Sequence, residues 1–181
     1  MKTNSKWLLF SLLMLLFSCE RSSIKLKIQK FSSHPVILNM DSMVNARTLI
    51  GQLPKRNASA EYVWVDYVDS LECTDCAIKR LLQWRTLIKQ NYAYRLDFLF
   101  ILSPNQHHLK SVLTKLRKDT ILNNYIYVDT CNVFTRNNST IPEERYLHTF
   151  LLDRENKIVL VGNPNVNERV ESLFQKIMNE R

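Results

Sequence analysis

The chain has 181 residues, 45% of them apolar, a formal charge of +8, four cysteines and two glycines. That length and apolar content suit one domain with an appendage and a core of its own. Gly51 and Gly162 stand far apart, which excludes glycine-rich phosphate loops and dinucleotide fingerprints, because those need several glycines in one turn for close backbone approach.

At the N-terminus, Lys2 and Lys6 precede an apolar run from Trp7 to Leu16 that only Ser11 interrupts. The run is short of the roughly 20 residues a membrane-spanning helix needs. It fits the hydrophobic region of an export signal over residues 1–18. Leu16-Phe17-Ser18-Cys19 resembles a bacterial lipobox, with Phe17 bulkier than the usual second residue. That resemblance implies that Cys19 is acylated and becomes the new N-terminus. It would hold the protein on a lipid membrane of the cell envelope, facing the periplasm. The plainer alternative is an ordinary cleaved signal, or an anchor that stays attached. Removing residues 1–18 takes away Lys2 and Lys6 and lowers the charge from +8 to +6. Such a surface suits anionic headgroups or simple solubility. No nucleic-acid partner is expected, since no cluster interleaves basic and aromatic residues outside the strands.

Residues 19–57 hold Glu20-Arg21-Ser22-Ser23, an alternating Ile24-Lys25-Leu26-Lys27-Ile28 and the patch Pro35-Val36-Ile37-Leu38. They read as a tether and a short β-leaning extension with one or two edge strands. Gly51 to Ser59 is turn-like and sets the boundary of a domain over 58–181.

From Glu61 onward strands and helices alternate. Tyr62-Val63-Trp64-Val65-Asp66-Tyr67-Val68 and the run from Leu96 to Leu102 are continuous enough to be strands buried on both faces. Between them, residues 77, 78, 81, 82, 84, 87 and 88 give a broad apolar helical face over Ala77 to Gln90. Ser103 is placed as N-cap of the next helix, with Pro104 in its first turn and Gln106 closing a capping box; Leu109, Val112, Leu113 and Leu116 supply the apolar stripe. A third strand covers Tyr125 to Val128. Thr149-Phe150-Leu151-Leu152 and Lys157 to Val161 flank a polar link, Asp153-Arg154-Glu155-Asn156, as in a hairpin. Asn165 to Glu168 reads as a capping box for a last helix with Val170, Leu173, Phe174 and Ile177 on one side. The order β-α-β-α-β-β-β-α gives an α/β fold with a central mixed sheet flanked by helices.

Cys73-Thr74-Asp75-Cys76 falls between the first buried strand and its helix. A cysteine at a helix N-terminus has its thiolate favoured by free backbone N–H groups and the positive end of the dipole. With two residues between them, the second thiol can reach the first within the opening turn and resolve a mixed disulfide. With this setting, residues 58–181 resemble a thioredoxin-like domain, similar to the membrane-anchored thiol–disulfide oxidoreductases of the TlpA type. The resemblance rests on Val65-Asp66-Tyr67-Val68, the Cys73–Cys76 motif, and Thr149 to Asp153 leading into Lys157-Ile158-Val159. It implies an enzyme in which Cys73 attacks and Cys76 resolves, acting on thiols or disulfides of exported proteins and supplied by a membrane electron donor. No cofactor is called for. Asp66 stands where thioredoxins keep a buried acid that relays a proton to the resolving cysteine, although the loop to Cys73 is one residue longer. The alternative for Asp66 is a strand-end carboxylate near solvent.

Two departures from the pattern bear on the chemistry. Glu72 and Asp75 replace the usual aromatic residue and proline beside the cysteines, and as like charges they disfavour the thiolate. A pair on the reducing side is therefore expected. His148 stands where the family has a cis-proline before Thr149, so a trans or reshaped loop is expected there. An imidazole beside two thiols offers an acid–base group or a metal ligand. This leaves two other functions open: a copper or zinc module using Cys73, Cys76 and His148, and a non-catalytic interaction domain. Cys131 reads as a buried spare thiol or as a partner for an intermolecular disulfide. The pair His107-His108 reads as solvated, and Trp64 and Trp84 as core or near-core residues.

Overall fold

The alternation of side chains along an extended strand sends successive residues to opposite faces, so a strand covered on both sides must be apolar throughout. The two continuous runs meet that condition except at Asp66 and Asp97, one buried carboxylate in each, and form the centre of the sheet. In the computed structural model, which describes residues 23–53, 57, 59–90, 95–116 and 122–180, the strands are β1 (Val44–Asn45), β2 (Tyr62–Val68), β3 (Leu96–Leu102), β4 (Ile126–Val128), β5 (Thr149–Leu152) and β6 (Ile158–Val161). The helices are α1 (residues 23–31), α2 (Thr74–Leu82), α3 (Arg85–Lys89), α4 (Gln106–Leu116), α5 (Val133–Asn137) and α6 (Glu168–Asn179). Residues 1–18, read as an export signal, and Cys19 lie outside the described residues.

The strands lie in the order β1-β4-β3-β2-β5-β6. β2 and β3 pair in parallel from Tyr62↔Leu96 to Val68↔Leu102, and β4 continues the parallel set. β5 joins β2 antiparallel, β6 returns antiparallel on β5, and β1 closes the other edge antiparallel on β4. This is the expected α/β arrangement, a central mixed sheet flanked by helices. On one face, Trp64, Val68, Phe98 and Phe100 pack against Ala77 and Leu81 of α2, Trp84, Val112 of α4 and Phe174 of α6. On the other, Val65, Tyr67, Leu99 and Phe150 pack against Phe31, Val36, Met43 and Phe134.

Several local expectations change. Residues 24–28 are helical, not a strand. Ile24 and Ile28 are half-buried, Phe31 is buried and Leu26 is 63% exposed. The alternating pattern and the helical i, i+4, i+7 pattern share positions 24 and 28, and only the tertiary placement of Phe31 decides between them. The patch Pro35 to Leu38 makes no strand either. Val36 N–H donates to Asn156 O at 2.8 Å, and Asn138 takes the place of a neighbouring strand by exchanging two 2.8 Å bonds with the Ile37 backbone. The edge strand forms instead at β1.

The helix expected over 77–90 breaks in two. Gln83 N–H and Trp84 N–H donate to the carbonyls three residues back, a tighter winding that separates α2 from α3 beside the fully buried Trp84. Ser103 does not cap α4, because its N–H still pairs with Val68 O at 2.9 Å; Asn105 Oδ1 accepts from His107 N–H at 3.2 Å in its place. At α6 the N-cap is Asn167, whose side chain accepts from Arg169 and Val170 N–H. Leu173 turns outward there and Met178 inward.

Candidate active site

β2 ends at Val68, and the next residues turn on a side chain: Asp69 Oδ1 accepts from Leu71 N–H at 2.8 Å and from Glu72 N–H at 3.0 Å. This Asx-type turn delivers Cys73 to the N-cap position of α2 (φ −59°, ψ 117°), where its carbonyl accepts the Ala77 N–H at 2.9 Å. Cys76 therefore lies in the first turn of the same helix. Both are exposed thiols. The Cys76 thiol is pushed above its ordinary range, first by its hydrogen bond to Cys73 and then by the charge on Cys73; Lys79 opposes this and Glu72 adds to it. The sequence-predicted pair is thus brought together at a helix N-terminus, open to a macromolecular partner. A cavity of about 660 Å³ bounded by Met40, Val63, Asp153 and Arg154 lies elsewhere, at the opposite end of β2.

Asp66 is completely buried, so it is not a strand-end carboxylate near solvent. Arg80 Nη2 donates to its Oδ1 and Trp84 Nε1 to its Oδ2, each at 3.0 Å. Loss of hydration raises its carboxyl to about 6, with Arg80 and Trp84 opposing the rise and Glu72 adding to it. Arg80 also reaches Glu72 Oε2 at 3.2 Å. One guanidinium thus links the residue before Cys73 to the acid in the sheet. The partners of Asp66 are an arginine and an indole, not a thiol. Sequence reasoning missed Arg80 altogether and took Trp84 only for core. The available signal is their spacing, since Cys76, Arg80 and Trp84 follow one another at i, i+4, i+8 along one edge of the apolar face.

His148 is not gathered with the cysteines. Its ring is buried on the α1–α5 face, with its centroid 5.2 Å from that of Tyr67 and Nε2 bonded to Pro142 O at 2.7 Å. Among the described residues no three His, Cys, Asp or Glu side chains are grouped as metal ligands would be. The loop is reshaped as expected, with no cis peptide bond among the described residues. Arg145–Leu147 wind into a 3-10 turn, in which Leu147 and His148 N–H donate to Glu144 and Arg145 O. His148 O accepts the Tyr67 N–H at 3.0 Å, and Arg145 Nε lies 3.7 Å from Asp69 Oδ2. The turn therefore abuts the loop that carries Cys73 while its imidazole points elsewhere.

Cys131 is exposed, which corrects the buried reading. It rides on a turn closed by Asp129, whose carboxylate accepts from Cys131, Val133 and Phe134 N–H. His107 and His108 are exposed at the start of α4.

No family model and no curated protein matches the chain. Among solved structures, it is similar to the exposed lipoprotein thioredoxin Etrx1 of Streptococcus pneumoniae, at 14% identity over 66% of this chain and 87% of that one, with a TM-score of 0.47. It is also similar to yeast Sco1 with copper bound, at 15% identity over 69% and 83% of the two chains and a TM-score of 0.42. A thioredoxin-like protein from Bacteroides caccae matches at 16% identity over 68% and 42%, with a TM-score of 0.39.

Proposed function

We propose that this protein exchanges disulfides with exported proteins through Cys73 and Cys76, as an envelope thiol–disulfide oxidoreductase of the TlpA type. The observation that carries this reading is the pair itself: two exposed thiols in hydrogen-bonding contact at the N-terminus of α2. Free N–H groups there favour negative charge on Cys73. The Cys73 thiolate attacks a substrate disulfide, one sulfur–sulfur bond breaks as another forms, and a substrate thiolate leaves. While Cys73 is tied in the mixed disulfide it carries no charge and no longer holds the Cys76 proton as it did. Cys76 then loses its proton more easily and attacks Cys73, releasing the second substrate thiol. The substrate gains two electrons and the pair becomes a disulfide, which a dithiol donor at the membrane must reduce again. Glu72 adds negative potential beside the pair, in keeping with action on the reducing side.

The N-terminal segment supports anchoring through an acylated Cys19 and exposure to the periplasm. No helix of the described residues is long and apolar enough to cross a membrane.

The deciding experiment is a redox titration of the pair, read by thiol alkylation in dithiol–disulfide buffers. The pair is expected to close into a disulfide within the physiological range, at the reducing end of it. A pair that never closes there removes the oxidoreductase reading.

A further inference from the structure

We infer that the outer face of α1 rests on anionic lipid headgroups and holds the Cys73 end of the domain close to the bilayer. The inference builds on the reading that Cys19 is the lipid anchor.

α1 turns Ile24, Ile28 and Phe31 inward, and the Phe31 ring packs edge-on against Phe150 with centroids 5.0 Å apart. The opposite side of the same helix presents Lys25, Leu26, Gln29 and Lys30, all exposed, with Leu26 at 63%. At 100° per residue Leu26 is central on that side, with Gln29 and Lys25 to one flank and Lys30 to the other. One exposed leucine flanked by lysines suits contact at the headgroup level, the lysines meeting anionic groups and the leucine the layer just beneath them. Glu144, an acid that approaches the helix, is engaged by Lys27 on the helix flank.

Covalent reach is the second observation. Ser23, the first described residue of α1, stands four residues after Cys19 in the chain. Four residues span at most roughly 14 Å in any conformation. An acyl chain on Cys19 therefore keeps α1 within about two Debye lengths of the surface. Two lysines brought to an anionic surface favour contact by roughly thirtyfold over a neutral one.

The contact also sets where the chemistry happens. Lys27 meets Glu144, the residue that opens the 3-10 turn, and Arg145 of that turn meets Asp69, whose side chain forms the loop into Cys73. Resting α1 on lipid thus places the cysteine loop near the surface, within reach of a donor embedded there.

The test uses the full lipidated protein on vesicles of phosphatidylcholine alone or mixed with phosphatidylglycerol, with Leu26→Trp and bromine-labelled acyl chains as quencher. Trp64 and Trp84 are fully buried, and the unsubstituted protein supplies their background. Tryptophan at position 26 is expected to be quenched on anionic vesicles, with a preference of roughly thirtyfold over neutral ones. Lys25→Glu with Lys30→Glu should abolish that preference while the protein still sediments with the vesicles. In the unsubstituted protein, acylation of Lys25 and Lys30 should slow on anionic vesicles relative to Lys176 of α6. Protein that sediments with both kinds of vesicle but shows no quenching on the anionic ones overturns the inference and leaves the anchor standing. Protein that stays in the supernatant of neutral vesicles overturns both. Shielding of residue 26 without quenching marks a second copy on that face, and it too overturns the inference.

Discussion

The Cys76 thiol is raised chiefly by its neighbour, and that dependence can be measured. Replacing Cys73 with alanine removes the two largest causes of the rise, the hydrogen bond and the charge. Cys73→Ala is therefore expected to lower the Cys76 pKa, followed as the pH dependence of iodoacetamide alkylation or of thiolate absorbance. An unchanged value would mean that Cys73 does not govern the resolving thiol. Asp66 offers a second measurement, on stability. Its carboxyl is raised from 3.8 to about 6 in the fold, mainly by burial. Below about pH 4 both folded and unfolded states are neutral there and the burial penalty is absent. Through about 4 to 6 the folded state holds the proton that the unfolded state has lost, so stability falls as pH rises, and the penalty is complete above that window. Asp66→Asn should flatten this dependence, read as the difference in urea midpoint between pH 5 and pH 7.5 for each protein. Equal slopes in the two proteins would place the pH dependence elsewhere. The existence of a special acid at 66 was legible in the sequence as a charge inside a β-rich run. Its partners were not, because Arg80 and Trp84 meet it only when α2 is laid across the sheet.

At the scale of elements, β2 and β3 were legible because a strand covered on both faces leaves a run that no surface segment would carry. The split between α2 and α3 was not, since nothing local breaks a helix at Gln83. The tighter winding there accompanies the burial of Trp84 against Phe98 and Phe100, with ring centroids 5.9 and 5.8 Å away. The exit from β6 toward α6 depends on Gly162, at φ +119°, where a Cβ would stand 2.8 Å from Val170 Cγ2. Gly162→Ala combines left-handed strain with that clash and should cost about 1–3 kcal/mol, measured by chemical denaturation. Adding Val170→Ala should relieve the steric part and leave the conformational part. A single substitution that costs nothing would show that the turn relaxes freely.

Across the whole molecule, the stretch that reads as a tether is folded onto the domain. β1 pairs with β4, and Phe31, Val36 and Met43 belong to the core on the α1–α5 face. Phe31→Ala should therefore destabilise the entire domain by about 3–5 kcal/mol, the range for a fully buried aromatic ring. The loss should appear as one cooperative shift of the urea transition, not as fraying of the N-terminus alone. A shift below about 1 kcal/mol would make the prefix an appendage after all. The turn-like composition of Gly51 to Ser59 suggested a boundary because turns and linkers draw on the same residues. Only long-range packing tells them apart.

The sequence by itself determined the centre of this protein: two buried strands, the helix that follows the first, the hairpin, and a cysteine pair at a helix start. Each of these follows from local periodicity or from chemistry between residues close along the chain. Tertiary structure alone decided which residues serve that centre. It turned residues 24–28 from an apparent strand into α1, set Arg80 between Glu72 and Asp66, and faced the His148 ring away from the thiols toward Tyr67 and Pro142. These outcomes depend on groups far apart in sequence whose burial must be satisfied together, and no local pattern records that requirement.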